Sequence, residues 1–352
     1  MQKSITFVLI FVKLILNFIF HIFRINKSNK MVDIQLKKNR YRKLCDEKQD
    51  IPLFMQAWWM DAVCIKQNWD VLFYKKNDKI IAVLVYYIVE KYGFKLIIQP
   101  QLTQSNGIWI EYPDNQSSYE IISFEKEIMS NLIEQLNKLR FSYYDQNFQP
   151  KITNWLPFFW KGFSQTTRYT YQIKDISDVE KCYQQFSYAK KKQISKTKKN
   201  LKTDLILSGE LFYKELQQNF KEINQNVFYS KDLFLKLYNE CMSRNQGCII
   251  TARDNQQNIH AANFIVWDNN CAYNLISTIK KEFRSSGASS LIIWEAIKLM
   301  SSKTEKFDFE GSMHESIENS FRQFGTVQIQ YFRIKKYNSL SLRLFINLKK
   351  WF

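Results

Sequence analysis

Glycine and proline are scarce in this chain of 352 residues, at eight and five, which excludes collagen-like and Pro/Gly-rich low-complexity readings. Histidine is scarcer, at three. The six cysteines (Cys45, Cys64, Cys182, Cys241, Cys248 and Cys271) form no CxxC pair and no His/Cys cluster with zinc-ligand spacing. Scattered thiols in a reducing compartment account for them, and no metal is called for. There is no GxSxG elbow and no sequence-level Cys/His pairing, so a covalent acyl-enzyme is not expected. Acids are also short: 33 Asp and Glu stand against 51 Lys and Arg, a formal charge of +18. That balance favours an anionic partner (nucleic acid, nucleotide, phosphorylated substrate or anionic lipid) without choosing among them. A lysine-favouring, AT-rich genome would give the same balance.

The residues that are abundant describe a packed globular protein, with 45% apolar and 16% aromatic residues over a length that suggests two domains. Residues 5–23 (ITFVLIFVKLILNFIFHIF) are a strongly apolar run whose polar interruptions, Lys13, Asn17 and His21, share one helical face. That pattern suits an interfacial helix or a short transmembrane helix. The basic residues after it would keep the main body in the cytoplasm, at the inner face of the plasma membrane. A start at Met31 is the alternative reading of residues 1–30.

Residues 31–173 read as an α+β unit: two strands around a Lys-Asn-Asp turn, a strand at 94–98, a helix at 124–139 and strands at 141–145 and 168–173. Residues 174–338 repeat the pattern, opening with helices at 179–199, 210–225 and 231–245. Residues 339–352 form a basic amphipathic tail, an edge strand or a membrane-surface contact. Phe141–Asp145 corresponds to Thr304–Asp308 at an offset of 163 residues, which also pairs Gly162 with Gly325 and Tyr169 with Phe332. Shared spacing of this kind points to internal duplication.

The second unit carries a turn that the first lacks. Arg284-Ser285-Ser286-Gly287-Ala288-Ser289 stands directly before an apolar helix, where small residues and a helix N-terminus favour a phosphate. The strand behind that helix ends in Asp308 and Glu310, on the face opposite Phe307 and Phe309, with His314 beyond. These three are the candidate catalytic residues. A lysine-rich stretch, 181–202, has the composition of either a solvated face or a polyanion contact. His260 reads as a packed histidine, and the clusters Trp58-Trp59 and 155–160 as core rather than sugar platform.

The segments PLFMQAWWMDAVC, IIQPQLTQSNGIWI, NWLPFFWKGFSQTTRYTY and FDFEGSMHESIENSFRQFG resemble bacterial FemAB-like and BioF-like acetyltransferase-domain proteins of the GNAT superfamily. The resemblance spans residues 41–335 and implies two tandem GNAT-like domains with mostly antiparallel sheets. The GNAT donor loop, Arg/Gln-x-x-Gly-x-Gly/Ala, is matched by Arg284 and Gly287, with Ser289 in the last place. The resemblance further implies an N-acyltransferase that uses acyl-CoA as co-substrate, bound at Arg284–Ser289. Its acceptor would be an amine on an amino sugar or a peptidoglycan-type cell-envelope precursor. Two rivals remain: an aminoacyl-tRNA-dependent FemAB-type transferase, and a non-catalytic basic protein that binds membrane or nucleic acid. The lack of sustained heptads argues against a long coiled-coil insertion and so tilts the reading towards acyl-CoA.

Overall fold

The computed structural model describes residues 32–311 and 313–349. The apolar run at 5–23 lies outside them; among the described residues no helix is long and apolar enough to cross a membrane. The chain forms two compact units, one ending at Glu47 and one starting at Lys48. In the first, residues 32–47 form helix α1, with an i,i+4 ion pair between Asp33 and Lys37.

The second unit begins with α2 (Ala57–Val63), β1 (Trp69–Lys76), β2 (Lys79–Lys91), β3 (Phe94–Ile98), β4 (Gly107–Ile110), α3 (Ser118–Lys138), β5 (Tyr143–Asn147), α4 (Leu156–Trp160) and β6 (Ser164–Ile173). It continues with α5 (Val179–Gln184), α6 (Tyr188–Thr197), β7 (Lys202–Asp204), α7 (Gly209–Glu222), α8 (Lys231–Ser243), β8 (Gly247–Arg253), β9 (Ile259–Trp267) and β10 (Cys271–Ile279). Last come α9 (Ala288–Met300), β11 (Lys306–Asp308), α10 (Glu315–Phe321), β12 (Val327–Tyr337) and α11 (Leu340–Lys349). Local sequence explains several boundaries. Ser117 and Glu120 form a reciprocal capping box at the start of α3, and the expected helix 179–199 splits because Ser187 caps α6 as a new start. The tail is helical rather than an edge strand: Leu340, Leu342 and Leu344 do not keep a strand's alternation of faces, for Leu342 is buried while the other two are exposed.

The twelve strands of the described residues join one mixed sheet in the order β1-β2-β3-β5-β12-β6-β11-β10-β9-β8-β7, with β4 on β2. The parallel ladders are β3–β5 and β10–β11, each bridged by a crossover helix, α3 or α9. The two halves exchange their last strands. β12 lies beside β5, β6 lies beside β11, and the two exchanged strands pair with each other. Arg168 faces Tyr331, its own counterpart at the offset of 163, so a local two-fold axis passes between them.

Apolar residues of the central strands pack under helices on one side. Tyr144, Phe148 and Ile334 join the core beneath α3 and α4, while Tyr171, Ile173, Phe307 and Phe309 join the core beneath α5, α6 and α9. The alternate residues, Asp145, Asn147, Arg168, Thr170, Gln172, Asp308, Tyr331 and Arg333, therefore face the other side. The middle of the sheet thus has one apolar and one polar face.

Candidate active site

The polar face is best ordered where β6 meets β11. Asp308 pairs with Gln172 in register, and its carboxylate is almost fully buried. Oδ1 accepts from Thr170 Oγ1 at 2.5 Å and from the Glu310 backbone N–H at 2.7 Å; Oδ2 accepts from Gln172 Nε2 at 2.7 Å. Burial raises the Asp308 pKa, and the three donors work against that rise.

Glu310 leaves the ladder in the left-handed region, at φ 58°, which costs a non-glycine residue about 1 kcal/mol. Gly311 follows so closely on β6 that a Cβ there would lie 2.1 Å from the Tyr169 carbonyl oxygen, and its N–H donates to Thr170 Oγ1 at 2.9 Å. This pinch turns the half-buried Glu310 side chain onto the polar face beside Asp308. Burial, then the neighbouring Asp308 charge, push the Glu310 carboxyl well above the usual carboxylate range. The Gln104 amide, with its nitrogen turned towards Glu310, donates to Oε1 at 2.9 Å.

Tyr273 stands in parallel register with Asp308 and packs on Phe54, with ring centroids 4.7 Å apart. Burial raises the Tyr273 hydroxyl well above its ordinary value, with further contributions from Cys271, Asp268, Asp308 and Glu310. β10 and β11 pair over only three residues each, Cys271–Tyr273 against Lys306–Asp308. Beyond that point β10 continues on β9 alone, through an irregularity that leaves Leu275 out of register. The ladder between the two strands thus ends at the residue that begins the acid pair.

The turn Arg284–Ser289 caps α9. Gly287 has φ 80°, and its missing side chain makes room for α6: a Cβ would meet Thr197 Oγ1 at 2.3 Å and Gln193 Cγ at 3.0 Å. Thr197 Oγ1 donates to the Ser286 carbonyl at 3.0 Å, and the Ala288 N–H donates to Ser286 Oγ at 3.2 Å. The Cβ side of Gly287 is filled by α6, which packs directly on α9. Arg284 and Ser285 are exposed, and Ser289 is partly so. Behind the turn Lys190 is buried, donates to Ser290 Oγ at 2.9 Å and lies 4.6 Å over the Phe324 ring.

Asp308 and Glu310 are thus brought together. His314 is the exposed residue before α10, separated from them along the chain by the turn at Gly311. His260 is buried, stacks on Phe283 at 3.6 Å and sits 3.3 Å from Asp254 Oδ2. Of the aromatic clusters, Trp59 and Phe158 are core, whereas Phe159 and Trp160 are exposed. Local sequence patterns did not single out Thr170, Gln172, Gln104, Arg168, Tyr273 or Tyr331. The offset of 163 contained one signal for them, since it makes Arg168 and Tyr331 counterparts.

No protein-family model and no curated protein matches the sequence. Solved structures do. FemX superposes with a TM-score of 0.62 at 11% identity, over 84% of this chain and 95% of that one. A conserved protein of unknown function from Bacteroides thetaiotaomicron VPI-5482 gives 0.51 at 12%, over 79% and 90%. L-PGS from Bacillus licheniformis gives 0.50 at 10%, over 88% and 96%. At these identities the likeness is one of fold, and the fold is the FemAB-like, GNAT-type one.

Proposed function

We propose that the protein is a transferase that moves an acyl group onto an amine, with Glu310 as the base. The observation that carries this is the pair of neighbouring carboxyls, Asp308 and Glu310, at the end of the β10–β11 ladder. Attack on an acyl carbonyl needs a neutral amine, and a carboxylate of raised pKa at hydrogen-bond distance takes a proton effectively near neutral pH. Asp308, held by three donors, acts as a positioning residue that keeps Glu310 basic by charge repulsion. Leu275, out of register at the irregularity in β10, would offer its backbone N–H to the developing oxyanion. His314 would act at the rim, on the acceptor, rather than on the proton.

The donor would lie near the end of the β10–β11 ladder with its phosphates at Arg284, Ser285 and Ser289. Acyl-CoA remains the first reading. The packing of Thr197 and Gln193 against Gly287 favours a second, an aminoacyl ester such as aminoacyl-tRNA, which needs no diphosphate seated at that glycine. The acceptor would be an amine on an amino sugar or a peptidoglycan-type precursor, with the basic surface drawing the protein to an anionic membrane face. The two repeated segments, 31–173 and 174–338, would be a duplicated pair that share this one site. Transfer of radiolabel from acetyl-CoA, or from charged tRNA, to amine acceptors tests the reading. Glu310→Gln should slow label transfer by about 10²–10³ while leaving donor binding intact. Label that moves equally well with E310Q would remove Glu310 from the chemistry.

A further inference from the structure

A cavity of about 340 Å³ opens on the polar face across the axis between the halves, lined by Ile98, Gln99, Asp145, Asn147, Arg168 and Arg333. Most of its polar groups have partners. Arg333 grips Asp145 through two bonds, Nε to Oδ1 at 2.7 Å and Nη2 to Oδ2 at 2.5 Å. Gln99 accepts from the Asn147 N–H at 3.0 Å and donates to the Thr103 carbonyl at 2.9 Å, while Asn147 Nδ2 donates to the Gln104 carbonyl at 2.9 Å. Arg168 is the exception. Among the described residues its guanidinium makes no hydrogen bond and no ion pair, and its Nε is shut off from solvent without an acceptor.

A buried donor without an acceptor costs about 1–3 kcal/mol, more when charged, so a group retained in that state fits a ligand that completes it. With Asp145 and Arg333 cancelling each other, the cavity carries one uncompensated positive charge. A guanidinium offers a planar fork that matches a carboxylate or a phosphate. We propose that Arg168 binds an oxyanion carried by the acceptor molecule itself. This rests on the transferase reading above, and it names the acceptor's class: an amine that also bears a carboxylate or a phosphate. Spacing supports the assignment. Arg168 and Thr170 are successive residues on one face of β6, about 7 Å apart, and Thr170 is the residue that holds Asp308. An anion on Arg168 therefore lies within several bonds of an amine at Glu310. The Tyr331 hydroxyl, pushed up to about 12 mainly by burial, also feels Arg168, Glu310, Asp308 and Arg333, so it lies where the two ends of such a molecule meet.

The test is a thermal-shift titration of the full chain with sodium acetate and with sodium phosphate, against sodium chloride at equal ionic strength. Wild type should be stabilised by at least one of the two beyond chloride, and which one responds distinguishes a carboxylate from a phosphate source. Arg168→Gln should weaken that response about tenfold, and Arg168→Lys, which keeps the charge but loses the fork, by less. Lys75→Gln, at an exposed site, should match wild type. A wild type that responds no better than to chloride, or an R168Q protein that responds like wild type, overturns the site. Where R168Q fails to fold, an R168K protein with wild-type response to both anions does the same. E310Q should keep the anion response, so a failed transferase reading leaves that response in place and is told apart from a failed Arg168 site.

Discussion

Asp145 and Asp308 stand 163 residues apart at equivalent places in the sheet, the first hydrogen-bonded by Arg333 and the second by Thr170 and Gln172. Arg333 and Thr170 are themselves 163 residues apart, so one geometry is used twice with different partners. An arginine neutralises the first carboxylate and makes it structural. Neutral donors hold the second, leaving a charge that Glu310 feels.

The stability of the two aspartates should differ accordingly. Asp145→Asn strands Arg333 in a partly buried position and should cost about 2 kcal/mol, below the range for fully buried pairs because Arg333 retains some solvent. Asp308→Asn should change stability by less than about 1 kcal/mol, since Gln172 can turn its amide and Thr170 can still donate. Urea denaturation of both variants at pH 7 checks this, and equal losses would mean that both carboxylates serve the fold alike.

Glu310 should show itself in activity and in pH dependence together. Glu310→Gln should lower kcat by about 10²–10³. Its folded-state pKa is raised, so the stability it contributes is complete below the unfolded value and is lost as pH rises through the folded value. The E310Q protein should therefore match wild type near pH 4 and exceed it near pH 7. Chemical denaturation at both pH values reads the difference directly, and a gap that is constant with pH would contradict the raised carboxyl.

Part of this was legible in the sequence because the signals were local. Alternation placed Asp308 and Glu310 opposite Phe307 and Phe309, and the small-residue turn before α9 was visible as RSSGAS. The repeat gave Asp145 as the partner position of Asp308. Strand exchange was not legible, because a repeat reports which segments are alike and not which half of the sheet each one joins. Without it Thr170, Gln172 and Arg168, which reach the site only by crossing over on β6, had no reason to stand out. At Gly287 the sequence shows that a side chain is missing but not that α6 fills the place of its Cβ, because that contact comes from a helix about ninety residues earlier.

Gly311 should be the least replaceable residue of the site. A Cβ 2.1 Å from the Tyr169 carbonyl oxygen and 2.6 Å from Thr170 Cα meets backbone that cannot swing aside. Gly311→Ala should cost about 3 kcal/mol and pull Asp308 away from Thr170 as β6 and β11 separate. Gly162→Ala, whose Cβ would meet nothing within 4 Å, isolates the cost of a left-handed backbone at φ 77° and should be milder, about 1 kcal/mol. Thermal melting of the two variants gives the comparison, and a G311A protein no worse than G162A would show that the strands separate readily.

Lys190 shows how the ground behind the donor turn is built. Burial pushes its ammonium down to about 8, and its contacts are a hydroxyl and an aromatic ring rather than a carboxylate. A depressed lysine contributes stability that is complete above its unfolded value and is lost as pH falls through the folded one. At pH 7 wild type therefore bears the cost of a buried charge, and it recovers as pH rises towards 10. Lys190→Met fills a similar volume without the charge and should be more stable than wild type at pH 7 by about 1 kcal/mol. That advantage should shrink steadily between pH 7 and pH 10 in urea denaturation. A K190M protein less stable than wild type by the same margin throughout would show that the bond to Ser290 and the contact with Phe324 outweigh the burial of charge, and that Lys190 braces α6 against the turn.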